Sequence, residues 1–293
     1  MHTNTRILAH NFEYHEPKTI EEALDLLSRH KPGIKVLAGG TDVLAKMKRN
    51  HFQCESLMYI MDIKELSFIE NLSGLKIGAA TTLRTIEKSE VVSSKYRALQ
   101  EAVEAIGATA IRNMATIGGN VCNAAPPADT VPALLVFEAQ LKLVKLGGER
   151  MVPLNEFITG AEQTVIGHDE LLHSIELPEL PAGFISTFVK LGRVSVDTAR
   201  VNMAVAVDFD SSSETIKEAR VALGAVGTKA YRCPESEAQL VGKKVDEKTV
   251  LAFADSLTSV CDFAIPGRYS LPYKREAVRK LAEDAFKQLK LLK

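Results

Sequence analysis

The chain has 293 residues, of which 46% are hydrophobic and 25% are charged, and its net charge at pH 7 is −1. This length is sufficient for two domains with separate cores. The balanced charge and the lack of a dense lysine or arginine run argue against a nucleic-acid-binding surface. Since no signal-peptide pattern and no apolar stretch of about 20 residues is present, we expect a cytoplasmic protein without a membrane span.

The first part of the sequence alternates helix and strand. Thr19 and Glu22 have the spacing of a capping box, and the apolar residues from Ile20 to Leu27 share one face of a helix. Pro32 and Gly33 end that helix. The elements predicted next are a buried strand, a short helix and a second strand, at residues 34–37, 42–49 and 57–63.

The rest of the chain reads as two further units. The first has predicted strands at 75–79, 140–146 and 171–177 and helices at 83–88 and 96–106. The second, beyond a Pro- and Gly-containing linker, has strands at 201–209 and 219–224 and helices at 247–260 and 274–291. Strands followed by helices predict an α+β fold. We expect domains at 1–178, with subdomains at about 1–63 and 64–178, and at 184–293.

Two glycine pairs are the most informative motifs. Leu37-Ala38-Gly39-Gly40-Thr41-Asp42 and Thr116-Ile117-Gly118-Gly119-Asn120 each follow apolar residues and carry small polar side chains. Because glycine tolerates positive φ and lacks a β-carbon, such a loop can present successive N–H groups to an anion. A single Gly-Gly is more often only a turn. Two of them suggest a long phosphate-bearing ligand held from two sides.

The four cysteines, Cys54, Cys122, Cys233 and Cys261, are far apart in the sequence. Zinc and iron–sulfur sites usually draw on closely spaced ligands. We therefore expect isolated reduced thiols and no metal bound by this chain.

Together with flanking motifs, the glycine segments resemble those of the FAD subunits of molybdenum hydroxylases, the xanthine dehydrogenase and carbon monoxide dehydrogenase family. The flanking motifs are Ile111-Arg112-Asn113, Asn123-Ala124-Ala125-Pro126-Pro127-Ala128-Asp129 and Phe188-Val189-Lys190-Leu191. The resemblance implies an FAD-binding domain of two subdomains, similar to the PCMH or vanillyl-alcohol-oxidase type. A smaller α+β domain similar to the carbon monoxide dehydrogenase flavoprotein C-terminal domain would follow.

The resemblance also implies which residues contact FAD. They are Val36, Leu37, Ala38, Gly39, Gly40, Thr41 and Asp42 in the first segment, and Thr116, Ile117, Gly118, Gly119, Asn120, Asn123 and Asp129 in and after the second. We expect Asp42 to cap the following helix, because a carboxylate repels phosphate. Asp129 matches a residue that binds the adenosine ribose, although it could instead cap a helix.

Two cations have alternative interpretations. Lys190 matches a family lysine near the isoalloxazine ring, where an ammonium would stabilise the negative charge of reduced flavin; without the resemblance it reads as a surface lysine. Arg112 could pair with phosphate or with a neighbouring carboxylate, and we favour a structural or partner-facing role. Neither glycine segment contains a histidine, and Cys122 is not at a tethering position, so we expect non-covalent FAD.

The implied function is electron transfer within a larger enzyme. A large subunit would bind molybdopterin, a small subunit would bind two [2Fe–2S] clusters, and the FAD of this chain would pass electrons to NAD or another acceptor. A Rossmann-type dehydrogenase is disfavoured because neither segment has the third glycine of GxGxxG. A non-catalytic or stand-alone flavin- or nucleotide-binding protein remains the alternative.

Overall fold

The computed structural model describes residues 10–30, 32–194 and 196–292. The predicted domain limits at residues 1 and 293 therefore lie outside the described residues. Among the helices of the described part, none combines the length and the apolar character that crossing a membrane requires.

A small parallel sheet with two helices forms the first unit. Its elements are β1 (Glu13–His15), α1 (Ile20–His30), β2 (Ile34–Leu37), α2 (Val43–Lys48) and β3 (Ser56–Tyr59), with the strands in the order β1-β3-β2. The Thr19 hydroxyl accepts a hydrogen bond from the Glu22 N–H, which confirms the predicted helix start. β2 has the predicted bounds, whereas β3 ends at Tyr59 because the chain turns there.

An antiparallel sheet with seven short helices forms the second unit. Its strand order is β4-β5-β10-β6-β7. The elements are β4 (Ile69–Leu72), β5 (Gly74–Gly78), α3 (Leu83–Glu87), α4 (Glu90–Lys95), α5 (Arg97–Glu104), α6 (Thr109–Arg112), α7 (Ile117–Asn123), α8 (Thr130–Val136), β6 (Gln140–Lys145), β7 (Gly148–Pro153), α9 (Leu154–Phe157), β8 (Ile158–Gly160), β9 (Gln163–Thr164) and β10 (Leu171–Leu177). A 3₁₀ turn at Lys64–Leu66 precedes them.

A four-stranded antiparallel sheet and three helices form the third unit, in the predicted order of strands before helices. The elements are β11 (Phe184–Leu191), β12 (Val201–Asp210), β13 (Thr215–Gly224), β14 (Tyr231–Arg232), α10 (Pro234–Glu237), α11 (Glu247–Ala264) and α12 (Leu271–Gln288). The described residues form three antiparallel sheets, one of them only the β8-β9 pair, beside one small parallel sheet, and the predicted α+β class is confirmed.

The sheet of the third unit is covered on both faces. Because side chains alternate along a strand, Ala204 and Ala206 of β12 pack into the core of the second unit. Met203, Val205 and Val207 pack instead into a core shared with α11 and α12. The sheet thus holds the third unit against the second, and its first strand carries Lys190 into their junction.

Candidate functional site

The two glycine segments contact each other, although they are far apart in the sequence. A β-carbon built on Gly39 would lie 1.7 Å from the carbonyl oxygen of Met114 and 3.0 Å from the nitrogen of Ala115. No side chain fits into this space, so glycine is required for the close approach. The contact sets the first segment beside the residues that lead into the second.

The first segment is a loop with unused backbone donors. Residues 38–42 connect β2 to α2, and Gly40 has a φ of +71°, in the left-handed region that favours glycine. Within the described residues, the N–H groups of Gly39, Gly40 and Thr41 have no hydrogen-bond acceptor. Successive free N–H groups are suited to bind phosphate oxygens. We call residues 38–42 the first glycine loop.

The second segment is not a loop, which corrects the sequence prediction. Thr116 caps α7 by accepting a hydrogen bond from the Gly119 N–H at 3.0 Å, and its carbonyl accepts from the Asn120 N–H. The N–H groups of Ile117 and Gly118 donate to carbonyl oxygens of Thr81 and Ala79. These four N–H groups therefore already have hydrogen-bond acceptors within the chain. The glycine pair has the local pattern of a turn, but the contacts with residues 79 and 81 make it the start of a helix.

The residues of the second segment differ in what they can offer a ligand. Ile117 is fully buried in the hydrophobic core. A β-carbon on Gly118 would lie 2.6 Å from the carbonyl oxygen of Ala79, so this glycine serves helix packing. Around Gly119, by contrast, the Thr116 hydroxyl oxygen is the only atom of the described part of the chain that would lie near an added β-carbon, at 2.8 Å. The open side of α7 is thus at Gly119.

The expectation that Asp42 caps α2 through its side chain is wrong. Asp42 occupies the N-cap position, but its side chain accepts no capping hydrogen bond. A capping side chain needs an extended backbone at the N-cap residue, whereas Asp42 has φ −99° and ψ −50°. Its exposed carboxylate is part of the first glycine loop and does not cap the helix.

Lys46 joins the two segments and was not recognised from the sequence. Its Nζ donates to Asn123 Oδ1 at 2.9 Å and lies 2.8 Å from Glu162 Oε1. Lys46 belongs to α2, just after the first glycine loop, and Asn123 is the last residue of α7. Because the Asn123 oxygen accepts from Lys46, the two N–H groups of its amide remain as donors. A lysine six residues after Gly40 was the only sequence signal.

Asp129 lies in a buried network instead of capping α8. Its Oδ2 accepts from Lys190 Nζ at 2.9 Å, and its Oδ1 accepts from Asn202 Nδ2 at 2.6 Å. Burial raises the pKa of Asp129, and the positive charge of Lys190 and the Asn202 hydrogen bond oppose the rise. Thr130, the next residue, donates to Asn120 Oδ1 and so links this network to α7.

Lys190 is not a surface lysine. Its side chain is 7% exposed, and its Nζ also donates to the Ala105 carbonyl. Two donors of the ammonium group are thus used, and the third is available for another acceptor.

Arg112 has a structural role. Its Nε donates to Glu87 at 2.8 Å, and its Nη1 donates to the carbonyl oxygens of Ile106 and Gly107. This hydrogen bond from Arg112 is the main cause that lowers the pKa of Glu87. Of the alternatives left open by the sequence, the carboxylate partner is therefore confirmed.

Cys122 in α7 is a poor candidate for a covalent link to a ligand. Desolvation raises the pKa of its thiol to about 12. Because the thiolate is the nucleophilic form, this cysteine is unreactive near neutral pH.

Two family models match the sequence over most of its length. The model described as the FAD binding domain in molybdopterin dehydrogenase matches residues 10–180. The chain belongs to this family. A second model, the CO dehydrogenase flavoprotein C-terminal domain, matches residues 186–289. The family resemblance read from the glycine segments is therefore confirmed.

Similar proteins include the medium chains of two dehydrogenases. The carbon monoxide dehydrogenase medium chain of Hydrogenophaga pseudoflava is 32% identical over 275 residues, which cover 94% of this chain and 95% of the relative. The glyceraldehyde dehydrogenase medium chain of Sulfolobus acidocaldarius is 30% identical over 279 residues, covering 95% and 98%. Like these relatives, the chain is a subunit of an oxidoreductase. It contains an FAD-binding domain.

The same fold is present in a solved structure of carbon monoxide dehydrogenase from Hydrogenophaga pseudoflava, in a form that lacks the Mo-pyranopterin moiety of the molybdenum cofactor. The TM-score is 0.89 at 31% sequence identity, with 96% of this chain and 98% of that chain covered. The chain therefore shares with that structure the arrangement of an FAD-binding domain followed by a C-terminal flavoprotein domain.

Proposed function

We propose that the chain binds FAD without a covalent bond, between the first glycine loop and α7. The observation that carries this proposal is the contact at Gly39, because it sets free N–H groups beside the capped start of α7. A dinucleotide is long enough to contact both. The proposal keeps the division into an FAD-binding domain at 1–178 and a C-terminal domain at 184–293.

The first glycine loop and Lys46 would bind the pyrophosphate. Among the residues that the structure describes, no acceptor meets the N–H groups of Gly39, Gly40 and Thr41, and Val36, Leu37 and Ala38 lead into the loop. Lys46 adds a positive charge that partly offsets the exposed carboxylate of Asp42. From the α7 side, we assign contacts to Thr116, Gly119, Asn120 and Asn123, with Ile117 and Gly118 as support.

Asp129 and Lys190 touch each other, so they would act at one end of the cofactor, at the flavin ring and its ribityl chain, and not at the distant adenosine ribose. Each carboxylate oxygen can accept more than one hydrogen bond, so Asp129 can accept from a ribityl hydroxyl while it remains paired with Lys190. The third donor of Lys190 would meet the ring edge that becomes negative on reduction. The ion pair with Asp129 holds that ammonium in place.

We further propose that the chain is the electron-output subunit of a molybdenum hydroxylase in the cytoplasm. Its partners would be a molybdopterin-binding large subunit and a small subunit with [2Fe–2S] clusters. Bound FAD would supply the ability to accept single electrons and to deliver pairs to NAD or another acceptor. Within the described residues, the cysteines (Cys54, Cys122, Cys233 and Cys261) do not form a group of three metal-ligand side chains, which fits clusters held by a partner.

Co-expression with the adjacent genes tests this role. We expect a single complex on size-exclusion chromatography that contains three chains, FAD, iron and molybdenum. If the chain elutes alone with FAD under conditions in which the other two subunits assemble, the stand-alone flavoprotein is the correct alternative.

A further inference from the structure

Three side chains with metal-binding groups meet at the edge of the first unit, away from the glycine segments. Glu13 and His15 are two residues apart on β1 and therefore point to the same side of the strand. His30 is the last residue of α1, and its ring centroid lies 5.0 Å from that of His15. One ligand atom from each of the three lies within 4.8 Å of the others.

One atom of this cluster has no hydrogen-bond partner among the described residues. In residues 10–30, 32–194 and 196–292, His15 Nε2 is buried from solvent and makes no hydrogen bond, although Glu13 Oε2 lies 3.5 Å away. That distance is long for a hydrogen bond. Two ligands of one tetrahedral zinc ion, each about 2.0–2.2 Å from the metal, lie about 3.4 Å apart. The separation of these two atoms is therefore the one that a shared zinc ion requires.

We propose that Glu13, His15 and His30 bind one Zn²⁺ ion. Two imidazole nitrogens and a carboxylate oxygen are ligands that zinc prefers, and water would complete the coordination. The ion would tie β1 to the end of α1, a few residues before β2 and the first glycine loop. Its role is structural, it is independent of the proposed flavin function, and it departs from the expectation that the chain holds no metal.

Zinc titration of the full-length, tag-free chain tests this site. The protein is first treated with a chelator, and ZnCl₂ is then added in competition with a chromophoric indicator. We expect one equivalent to bind, with at least about tenfold weaker affinity in His15→Gln and in His30→Gln. His168→Gln, which alters an exposed histidine outside the cluster, should bind like the wild type. Zinc should raise the melting temperature of the wild type and of His168→Gln only.

Two results would overturn the proposal. Failure of the folded wild type to bind a stoichiometric equivalent would mean that Glu13, His15 and His30 are neighbours without a metal. Equal affinity in the wild type and both cluster variants, with circular dichroism showing all three folded, would locate the ion elsewhere. Because the readouts are zinc affinity and melting temperature, neither result depends on FAD.

Discussion

Lys190 and Asp129 form a buried ion pair between the second and third units, with Nζ and Oδ2 2.9 Å apart and each side chain 7% exposed. Lys190 is on β11, and Asp129 directly precedes α8. Burial raises the pKa of Asp129 against the opposing effects of Lys190 and Asn202. Lys190 and Asn202 therefore favour the charged form of the carboxylate, and the pair couples the C-terminal sheet to the FAD-binding domain.

Removal of the lysine charge should be strongly destabilising. In Lys190→Met the buried carboxylate loses its cation, so we expect the free energy of unfolding to fall by about 3–5 kcal/mol. Urea unfolding at pH 7 measures the change. Lys76→Met, which removes a half-exposed pair with Glu176, serves as the control and should cost less than about 1 kcal/mol.

A double variant shows whether the loss of stability comes from the unpaired charge of Asp129 or from general damage to packing. Lys190→Met combined with Asp129→Asn leaves no unpaired buried charge, so its stability should exceed that of Lys190→Met alone. Simple addition of the two single costs would contradict a direct interaction between these side chains.

Three glycines should respond differently to an added side chain. Gly39→Ala places a β-carbon against the Met114 carbonyl. This variant should therefore lower the stability of the chain and also abolish FAD binding. Gly119→Val adds bulk on the open side of α7 and should abolish FAD binding while the far-ultraviolet circular dichroism stays native. Gly148→Ala, with no atom within 4 Å of the new β-carbon, is the control. Full FAD occupancy in Gly119→Val would mean that α7 does not contact the cofactor.

Lys46 is predicted to strengthen FAD binding through its charge and through Asn123. Because a hydrogen bond to a charged group contributes about 1.5–3 kcal/mol, Lys46→Met should weaken FAD binding by about 10- to 100-fold. Fluorescence titration of the FAD-free protein measures the dissociation constant. Lys95→Met removes the same charge from an exposed site in α4 and should leave the constant unchanged; equal weakening in both variants would indicate only a general charge effect.

The pair formed by Arg112 and Glu87 should make stability depend on pH. The pKa of Glu87 is lower in the folded than in the unfolded state. The contribution of its charge to the stability of the fold is therefore complete above the unfolded-state pKa, about 4.3. This contribution is lost as the pH falls through the folded-state pKa. Arg112→Met should cost about 3 kcal/mol at pH 7, and less as the pH falls below about 4.3. Urea unfolding of the wild type and of Arg112→Met at a series of pH values measures this cost. The same cost at every pH would contradict the prediction. Arg29→Met, from an exposed pair, is the control.

Local patterns predicted the bounds of two strands, at 34–37 and 171–177. The strand at 34–37 was predicted as buried, which is wrong, because only Leu37 of its four residues is buried. β1 was missed, since Glu13, Tyr14 and His15 have no apolar alternation and form a strand only by pairing with β3. The start of α7 was missed for a similar reason: its N–H groups are satisfied by carbonyls of residues 79 and 81.

The candidate site was predictable as a set of motifs but not as a geometry. The glycine at position 39 carried a clear signal, whereas its contact with Met114 depends on the packing of two units. The pairing of Lys190 with Asp129 joins residues that no periodicity connects. The sequence predicted both residues as contacts of the cofactor, and the ion pair between them followed only from the tertiary structure.

The central claim, non-covalent FAD held between the first glycine loop and α7, is tested most directly by the flavin that the purified chain releases. The protein is precipitated with acid, and the supernatant is separated by chromatography. We predict free FAD in stoichiometric amounts and a colourless pellet. FMN in place of FAD, flavin that remains on the precipitated protein, or no flavin even after incubation with FAD would contradict the claim.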